Sequence, residues 1–260
     1  MPDVRPKKAL GQHFLTDQSV AQRITNTLAQ FSSFPVLEIG PGMGVLTRWL
    51  LDMGLDLTVV EIDSESVDYL NRNFPQLHGR IIEGDFLKMN LADIYADKPF
   101  CIIGNYPYNI SSQIFFKLLD YKDRVPCCSG MLQKEVAERL AAKEGSKTRG
   151  ILSVLLQAWY DVEYLFTVSE HVFCPPPKVK SGVIRLVRNS RTELPCDQRL
   201  FRTVVKTTFG QRRKTLRNSV KPLLPPGAPM PESDLLSLRP EQLSVDQFFA
   251  LTNLIASAKQ

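Results

Sequence analysis

The sequence has no apolar run that approaches the roughly 20 residues a transmembrane helix needs. Residues 1–10 include no apolar segment of signal-peptide length, so we expect a cytoplasmic protein that does not contact a membrane. The five cysteines are an odd number without a Cys-x-x-Cys pair, which argues against a disulfide framework, a zinc site and thiol redox chemistry. The three histidines are not paired with a nucleophile or other metal ligands, so we predict no metal.

The remaining composition is that of an ordinary globular protein, with 43% hydrophobic and 23% charged residues among 260. Its charge is unevenly distributed. Residues 191–260 hold eleven Lys or Arg and six Asp or Glu, whereas residues 1–190 hold twenty-one of each. Between Arg199 and Lys221 there are eight basic residues and no acidic residue. Since a solvated helix face usually mixes both signs, this bias indicates a polyanionic partner, with nucleic acid the leading candidate.

Strand and helix patterns alternate in the first 190 residues. We predict strands at 36–39, 57–61, 80–83, 100–103 and 183–187, helices at 17–30, 45–53, 64–73, 110–119 and 131–142, and a helix or strand at 152–156. This alternation predicts an α/β domain with a mainly parallel sheet, covered by helices on both faces. Ligands of such sheets bind beyond the carboxyl ends of the strands.

Residues 191–260 have a different character and predict a small all-α second domain. An apolar stripe with helical spacing covers 200–209, and a second, basic helix is predicted at 212–221. Five prolines between 222 and 231 predict a stiff connector, after which we expect helices at 232–238 and 245–258.

A glycine turn follows the first predicted strand of the sheet. Gly40, Gly42 and Gly44 alternate, so the backbone can turn sharply and pass close to a ligand. The third glycine comes one residue earlier than in the dinucleotide motif G-x-G-x-x-G. Glu61 ends the next predicted strand, where its carboxylate is placed to accept both hydroxyls of a ribose. The turn alone is also compatible with a structural role, but the ordered set of strand, turn, helix, strand and acid favours a nucleoside-containing cofactor.

The segment Asn105-Tyr106-Pro107-Tyr108 directly follows another predicted strand. An exocyclic amine of adenine is a poor nucleophile because its lone pair is delocalised into the ring. The Asn105 side-chain oxygen and a backbone carbonyl near Pro107 can accept its two N–H groups and favour a more pyramidal nitrogen. Tyr108 offers a flat face for stacking a flipped base. The alternative is an Asn-Pro-type turn with a core tyrosine.

Other residues are further candidates for the site. Asp85 follows a strand and either accepts from the adenine of the cofactor or caps a turn. Glu38 is placed to orient the glycine turn rather than to contact a ligand. Gln12, with Phe14 beside it, can close over the cofactor, and Phe173 either forms a wall of the base pocket or belongs to the core.

These motifs together resemble the adenine N6,N6-dimethyltransferases of ribosomal RNA, most closely the small-subunit type, over nearly the whole chain. The motifs are Gly11-Gln12-His13-Phe14-Leu15, Glu38-Ile39-Gly40-Pro41-Gly42-Met43-Gly44, Glu61-Ile62-Asp63, Gly84-Asp85, Gly104-Asn105-Tyr106-Pro107-Tyr108-Asn109-Ile110-Ser111, Pro175-Pro176-Pro177-Lys178-Val179-Lys180-Ser181 and Phe209-Gly210-Gln211-Arg212-Arg213-Lys214-Thr215-Leu216. Two positions depart from the family pattern: Tyr106 is more often aliphatic, and His13 replaces a frequent asparagine.

The resemblance implies a Rossmann-like methyltransferase domain at 1–190 and an RNA-binding or ribosome-binding domain at 191–260. It implies a monomer that uses S-adenosyl-L-methionine to dimethylate two neighbouring adenosines near the 3′ end of small-subunit RNA, within a precursor of the 30S particle. The implied site residues are, for the cofactor, Gln12, Phe14, Leu15, Glu38, Gly40, Gly42, Gly44, Glu61, Ile62, Asp85, Phe86 and Asn105; for catalysis, Asn105, Tyr106, Pro107, Tyr108 and Phe173; and for RNA, Lys178, Lys180, Arg212, Arg213, Lys214 and Arg217.

Three other functions remain as alternatives. The sister family that modifies one adenine of large-subunit RNA and confers macrolide resistance is disfavoured by residues 209–216 and by Pro41. A non-catalytic assembly factor on the same fold would be expected to have lost Glu61, Asp85 or Asn105, and all three are present. A nicotinamide enzyme is disfavoured by the early third glycine.

Overall fold

The computed structural model describes Val4, Pro6, Lys7 and residues 10–259. The chain divides into two compact units. The first consists of residues up to Glu138 together with Asp161–Arg188, and the second of Arg139–Tyr160 together with the chain from Asn189 onward. The division after Arg188 lies next to the predicted boundary at 190, but the prediction did not place 139–160 with the C-terminal residues.

The first unit is organised around a seven-stranded sheet. The strands of the chain are β1 (Phe14–Leu15), β2 (Val36–Ile39), β3 (Leu57–Glu61), β4 (Ile81–Glu83), β5 (Cys101–Asn105), β6 (Cys127–Gln133), β7 (Tyr160–Val168), β8 (Phe173–Cys174) and β9 (Ser181–Arg188). The sheet order is β4-β3-β2-β5-β6-β9-β7, and β1 pairs separately with β8 in an antiparallel ribbon. Strands β2 to β6 pair in parallel, and β9 is antiparallel to β6.

The strand order determines where a ligand-binding crevice can form. From β2 the chain builds outward through β3 and β4, then crosses back to β5 on the other side of β2. This reversal leaves an opening beyond the carboxyl ends of β2 and β5, the position at which open α/β sheets bind ligands. All four residues of β2 are buried, as expected for a parallel strand covered on both faces.

The helices are mostly short. They are α1 (Gln18–Thr25), α2 (Val45–Asp52), α3 (Ser64–Asn73), α4 (Ala92–Tyr95), α5 (Ser111–Asp120), α6 (Lys134–Ala141), α7 (Ile151–Gln157), α8 (Gln198–Gly210), α9 (Leu216–Ser219) and α10 (Val245–Ser257). Segments of 3-10 helix cover Asn26–Phe31, Pro75–Leu77, Glu170–Val172, Lys221–Leu223, Asp234–Ser237 and Pro240–Gln242. Among the described residues, none of these helices combines the length and apolar character needed to cross a bilayer.

The predicted α/β class with a mainly parallel sheet is confirmed, and β2, β3 and α3 have the predicted bounds. Three predictions were wrong in detail. The helix expected at 131–142 starts at Lys134, because the preceding residues complete β6 in the centre of the sheet. Strands β6 and β7 of the sheet were not predicted. The helix expected at 17–30 is an α-helix only through Thr25 and continues as 3-10 helix.

The second unit is built around α8 and α10. Phe201 of α8 lies 5.2 Å from Phe249 of α10 between ring centroids, and Phe209 lies 6.0 Å from Phe248. The basic helix predicted at 212–221 was wrong. Residues 211–214 form a turn after α8, in which Arg212 N donates to Phe209 O at 3.3 Å. A helix of only four residues, α9, follows this turn.

Candidate active site

The predicted cofactor residues converge on one cavity in the first unit. About 950 Å³ of empty space, partly open to solvent, lies between the residues after β2, β3, β4 and β5 and the N-terminal segment 10–15. The predicted residues that line it are Gln12, Phe14, Leu15, Glu38, Gly40, Gly42, Glu61, Ile62, Asp85, Phe86, Asn105, Tyr106, Pro107 and Tyr108. Gly44 and Phe173 are outside this lining.

The glycine turn is required by the protein's own packing. Gly42 and Gly44 have φ angles of +54° and +77°, which side chains rarely tolerate. A Cβ at Gly42 would lie 2.9 Å from the Phe14 ring, and one at Gly44 would lie 2.5 Å from the Phe74 ring. The sequence pattern predicted a ligand in these spaces, whereas the structure fills them with aromatic rings. The Phe14 contact brings the N-terminal segment directly onto the turn.

Glu61, at the end of β3, accepts three backbone amides. Ile62 N and Asp63 N donate to Oε1 at 2.8 and 2.9 Å, and Gly42 N donates to Oε2 at 3.0 Å. The side chain is only 4% exposed, and burial raises the pKa of Glu61 while the three amides oppose the rise. The carboxylate therefore fixes the glycine turn to the end of β3, and the three amides use three of its roughly four acceptor positions.

Glu38 is a second, more deeply buried acid in the same cavity. Its Oε2 accepts the Thr47 hydroxyl at 2.7 Å. Burial raises the pKa of Glu38 to about 8, an effect that the Thr47 hydrogen bond opposes and the nearby Glu61 charge reinforces. At neutral pH, Glu38 is largely protonated, so it adds little charge beside Glu61. The bond to α2 agrees with the predicted role in orienting the glycine turn.

Polar contacts fasten the N-terminal segment beside the cavity. Lys7 Nζ contacts Asp63 Oδ1 and lies 3.1 Å from Glu65 Oε1. The Gln12 side chain accepts from Lys7 N at 2.8 Å and donates to Asp63 Oδ2 at 3.3 Å. Gln12 thus lines the cavity as predicted, but its amide is engaged in holding the segment to the residues after β3.

Asn105 is the polar residue at the end of β5. Its Nδ2 donates to His13 O at 3.1 Å, which identifies Oδ1 as the remaining atom of the amide that can accept a hydrogen bond. The His13 ring lies 5.4 Å from the Tyr108 ring between centroids, and its Nδ1 lies 2.9 Å from Pro175 O. The Tyr108 hydroxyl is 2.6 Å from Ser181 Oγ. Burial raises the pKa of Tyr108, so its hydroxyl stays neutral.

The contacts of His13 and Ser181 were missed in the sequence. His13 was noted only as a departure from the family pattern, and Ser181 only as the end of a motif. Both residues join segments more than 70 positions apart. Spacing along a chain carries no information about such contacts, so the motifs that contain these residues were the only available signal.

Tyr106 and Phe173 are packed into the core. The Tyr106 ring is 1% exposed, its hydroxyl donates to Ser129 O at 2.6 Å, and it meets Phe115 edge-on at 5.6 Å. Only the backbone of Tyr106 is therefore available for a reaction, which is all that the predicted chemistry requires of this residue. Phe173 is 4% exposed in the hydrophobic core, which supports the structural role that the sequence left open.

The residues after β3 and β4 form the remaining wall. Asp85 Oδ1 accepts from Leu87 N at 2.9 Å, so Asp85 caps a turn, and its Oδ2 lies 3.7 Å from Lys88 Nζ. The Ile62 side chain is 50% exposed, which is unusual for a large apolar residue that lines a cavity. Phe86 is buried beside it in the lining. This wall combines an exposed apolar face with a carboxylate, a set suited to a purine ring.

The predicted RNA-binding residues are exposed. In the first unit, Lys178 and Lys180 flank Val179, which is also exposed. In the second unit, Arg212, Arg213, Lys214 and Arg217 are exposed, the first three on the turn after α8. The cations thus stand on a turn and on α9 rather than on one helix face.

Comparison with known proteins agrees with this architecture. The ribosomal RNA adenine dimethylase family matches residues 4–257. The chain is 71% identical over 249 residues to a ribosomal RNA small subunit methyltransferase A of Parabacteroides distasonis, covering 96% of this chain and 93% of that protein. It is 64% identical over 255 residues to the protein of the same name from Bacteroides thetaiotaomicron, covering 98% and 96%.

Two solved structures share the fold of this chain. A dimethyladenosine transferase from Plasmodium falciparum superposes with a TM-score of 0.75 at 25% identity, covering 92% of this chain and 96% of that chain. The 23S rRNA methyltransferase ErmE superposes with a TM-score of 0.67 at 25% identity, covering 92% and 99%. With a family match over almost its whole length and relatives of such high identity, the chain belongs to the ribosomal RNA adenine dimethylase family.

Proposed function

We propose that this protein dimethylates the N6 amino groups of two adjacent adenosines near the 3′ end of small-subunit ribosomal RNA, with S-adenosyl-L-methionine as methyl donor. The observation that carries the proposal is the fixed orientation of Asn105. Its Nδ2 is bound by His13 O, which leaves Oδ1 as an acceptor beside Tyr108 in the cavity that also contains Glu61. The names of the relatives support the choice of the small subunit.

The residues present fit this cofactor. Glu61 retains acceptor capacity for ribose hydroxyls, and exposed Ile62 with Asp85 suits an adenine ring and its amino group. Phe14 and Gln12 belong to the segment that would cover the bound molecule. When bound, S-adenosylmethionine supplies a methyl group made electrophilic by a positively charged sulfur.

The chain's contribution to the reaction is to hold the target amine. Asn105 Oδ1 accepts a hydrogen bond from one N6–H group and a backbone carbonyl of the 105–108 segment accepts one from the other, which favours a pyramidal nitrogen with an available lone pair. Tyr108 stacks against the base, and the bond to Ser181 Oγ fixes its ring before the base arrives. Because these groups are already positioned, little reorganisation is required during the reaction.

The proposal extends to the setting of the reaction. The exposed cations at Lys178, Lys180, Arg212, Arg213, Lys214 and Arg217 would bind RNA phosphates, with residues 191–260 acting mainly in RNA and ribosome binding. The protein would act as a cytoplasmic monomer on a precursor of the 30S particle.

The test is mass spectrometry of ribosomal RNA from cells that lack the protein. We expect small-subunit RNA to lose N6,N6-dimethyladenosine, and expect the parent gene to restore it while Asn105→Ala does not. Persistence of the modification in small-subunit RNA would overturn the proposal. Loss of a methyladenosine from large-subunit RNA instead would favour the alternative suggested by the fold similarity to ErmE.

A further inference from the structure

A second cationic segment lies beside the turn after α8. Residues 143–148 of the second unit, here called the lysine loop, expose Lys143 and Lys147. Within the part of the chain that the structure describes, neither ammonium group has a hydrogen bond or ion pair. The loop does not stand out in the sequence, because its two lysines are separated by Glu144 and by small polar residues.

Hydrogen bonds within the lysine loop and to Glu241 hold its backbone in place. Gly145 N donates to Glu241 O at 2.8 Å, and the hydroxyls of Ser146 and Thr148 lie 2.8 Å apart. Arg149 N donates to Ser146 O at 3.2 Å. A loop held in this way presents its lysines from a fixed backbone, so binding an anion would require little additional ordering.

A hydrogen bond joins this loop to the cationic turn, residues 211–214. Arg212 Nη2 donates to Lys147 O at 2.7 Å, so the two segments lie side by side within one unit. Arg213 and Lys214 are exposed on the same turn. Like charges on adjacent segments repel one another, and an anion that binds both segments would offset this repulsion.

The single carboxylate of the lysine loop is already compensated. Glu144 Oε2 lies 3.6 Å from Nη1 of Arg149, a residue that is only 1% exposed. Arg149 Nε and Nη2 are buried without a hydrogen-bond partner, so this one carboxylate does not satisfy the guanidinium. The loop therefore presents a net positive face to solvent.

We infer that the lysine loop and the cationic turn form one surface that binds consecutive phosphates of the substrate RNA. This inference rests on the proposed function and adds Lys143 and Lys147 to the RNA-binding residues. Exposed lysines and arginines suit contacts with phosphates of the RNA backbone, which position RNA and carry no sequence information. A solvated basic face without a partner is the competing explanation, and it predicts no change in RNA binding when the two lysines are removed.

The test is RNA binding by the double variant Lys143→Ala/Lys147→Ala. Fluorescence anisotropy with a labelled 3′ fragment of small-subunit RNA is measured between about 50 and 200 mM salt. If two phosphates are no longer bound, the log–log salt slope should decrease by about 1.4–1.8. The ratio of variant to parent Kd should then fall by roughly tenfold across that range. Lys143→Arg/Lys147→Arg should bind like the parent.

The matched control is Lys98→Ala/Lys259→Ala, which removes two exposed lysines outside this surface. It should keep the parent slope, although its net charge equals that of the test variant. An unchanged slope in Lys143→Ala/Lys147→Ala, or an equal change in the control, would overturn the inference. Failure of this inference is distinguishable from failure of the proposed function. The proposed function is judged by whether the unaltered chain catalyses methyl transfer from S-adenosylmethionine to small-subunit particles.

Discussion

The amide nitrogen of Gly42 donates a 3.0 Å hydrogen bond to Glu61 Oε2, and so connects the turn after β2 with the end of β3. The same carboxylate accepts the amides of Ile62 and Asp63. One buried side chain thereby determines the relative position of two loops that line the cavity. The proposed ribose contact and this structural role belong to the same residue, and they can be separated by measuring both cofactor affinity and stability.

Glu61→Ala should lose cofactor affinity and some stability. Removing two charge-assisted hydrogen bonds to the ribose would cost about 1.5–3 kcal/mol for each bond, and the three unpaired amides would lower the Tm. Isothermal titration calorimetry with S-adenosylmethionine and thermal unfolding measure the two effects. Asp68→Ala, which removes an exposed carboxylate from α3, is the control. Normal affinity in Glu61→Ala would refute the ribose assignment.

Asn105→Ala should retain cofactor affinity and lose rate. Removal of one preorganised electrostatic partner costs on the order of 10²–10³ in kcat. Single-turnover methyl transfer to small-subunit particles measures the chemical step. Asn109→Ala serves as the control, because Asn109 is exposed on the same segment and does not line the cavity. The assignment would fail if Asn105→Ala transferred methyl groups at the parent rate.

Asp85→Ala should weaken cofactor binding more than it slows methyl transfer. Asp85→Ala removes the proposed acceptor for the adenine amino group and the cap on Leu87 N. Removal of a hydrogen bond to a charged group predicts roughly tenfold to hundredfold weaker binding. Asp85→Asn keeps an oxygen for both partners and should be intermediate in calorimetry. If the parent and Asp85→Ala bound the cofactor with equal affinity, the carboxylate would only cap the turn at Leu87.

Glu38 should make stability fall as pH rises. The pKa of Glu38 is raised from 4.5 to about 8, so between these values the folded chain holds a proton that the unfolded chain releases. This contribution to the free energy of unfolding is full below pH 4.5 and is lost as pH rises to about 8; it amounts to a few kcal/mol.

Glu38→Gln should reduce that pH dependence, because it keeps an oxygen for Thr47 and cannot ionise. Thermal unfolding from about pH 5 to 8.5 should show a smaller decrease of Tm than in the parent. Asp68→Asn should leave the parent profile unaltered, since Asp68 is exposed. Parallel profiles for Glu38→Gln and the parent would contradict a raised pKa at Glu38.

The cationic turn should contribute to RNA binding without affecting the cofactor. Arg212→Ala/Arg213→Ala/Lys214→Ala should keep S-adenosylmethionine affinity. It should flatten the log–log salt dependence of RNA binding by about 0.7–0.9 for each phosphate that is no longer bound. Filter binding to small-subunit particles across a salt series measures this slope. A slope and an affinity equal to those of the parent would exclude the turn from the RNA interface.

Local patterns predicted the centre of the sheet well. Buried parallel strands such as β2 and β3 are short apolar runs bounded by glycine or acidic residues, so their limits are visible in the sequence. Strand β6 was not predicted, because Met131, Leu132 and the apolar positions of α6 together imitate one helical stripe. The pairing of β6 with β5 and β9 overrides that local pattern.

The site was predictable as a set of residues but not as a set of contacts. The sequence placed Glu61, Asp85 and Asn105 at strand ends, which parallel topology brings to one edge. It contained no indication that Phe14 packs against Gly42, since that contact depends on where the N-terminal segment crosses the sheet. A second helix was predicted to begin at 212, directly after the break at Gly210, but residues 211–214 form a turn and only Leu216–Ser219 are α-helical.

The buried Tyr106 ring supports the backbone of the segment Asn105–Tyr108 from the core side. Close strand approach already demands glycine at 104 and 130, where a Cβ would lie 2.7 Å from Ile39 O and 2.3 Å from Gly104 O. The Tyr106 ring fills the space that these two missing side chains leave. Tyr106→Ala would therefore open a void beside the backbone of Gly104 and Gly130 and would leave Ser129 O without its hydrogen bond. Because carbonyl oxygens border that space, water would enter it, and the backbone carbonyls proposed to hold the target amine would lose the rigid support of the ring.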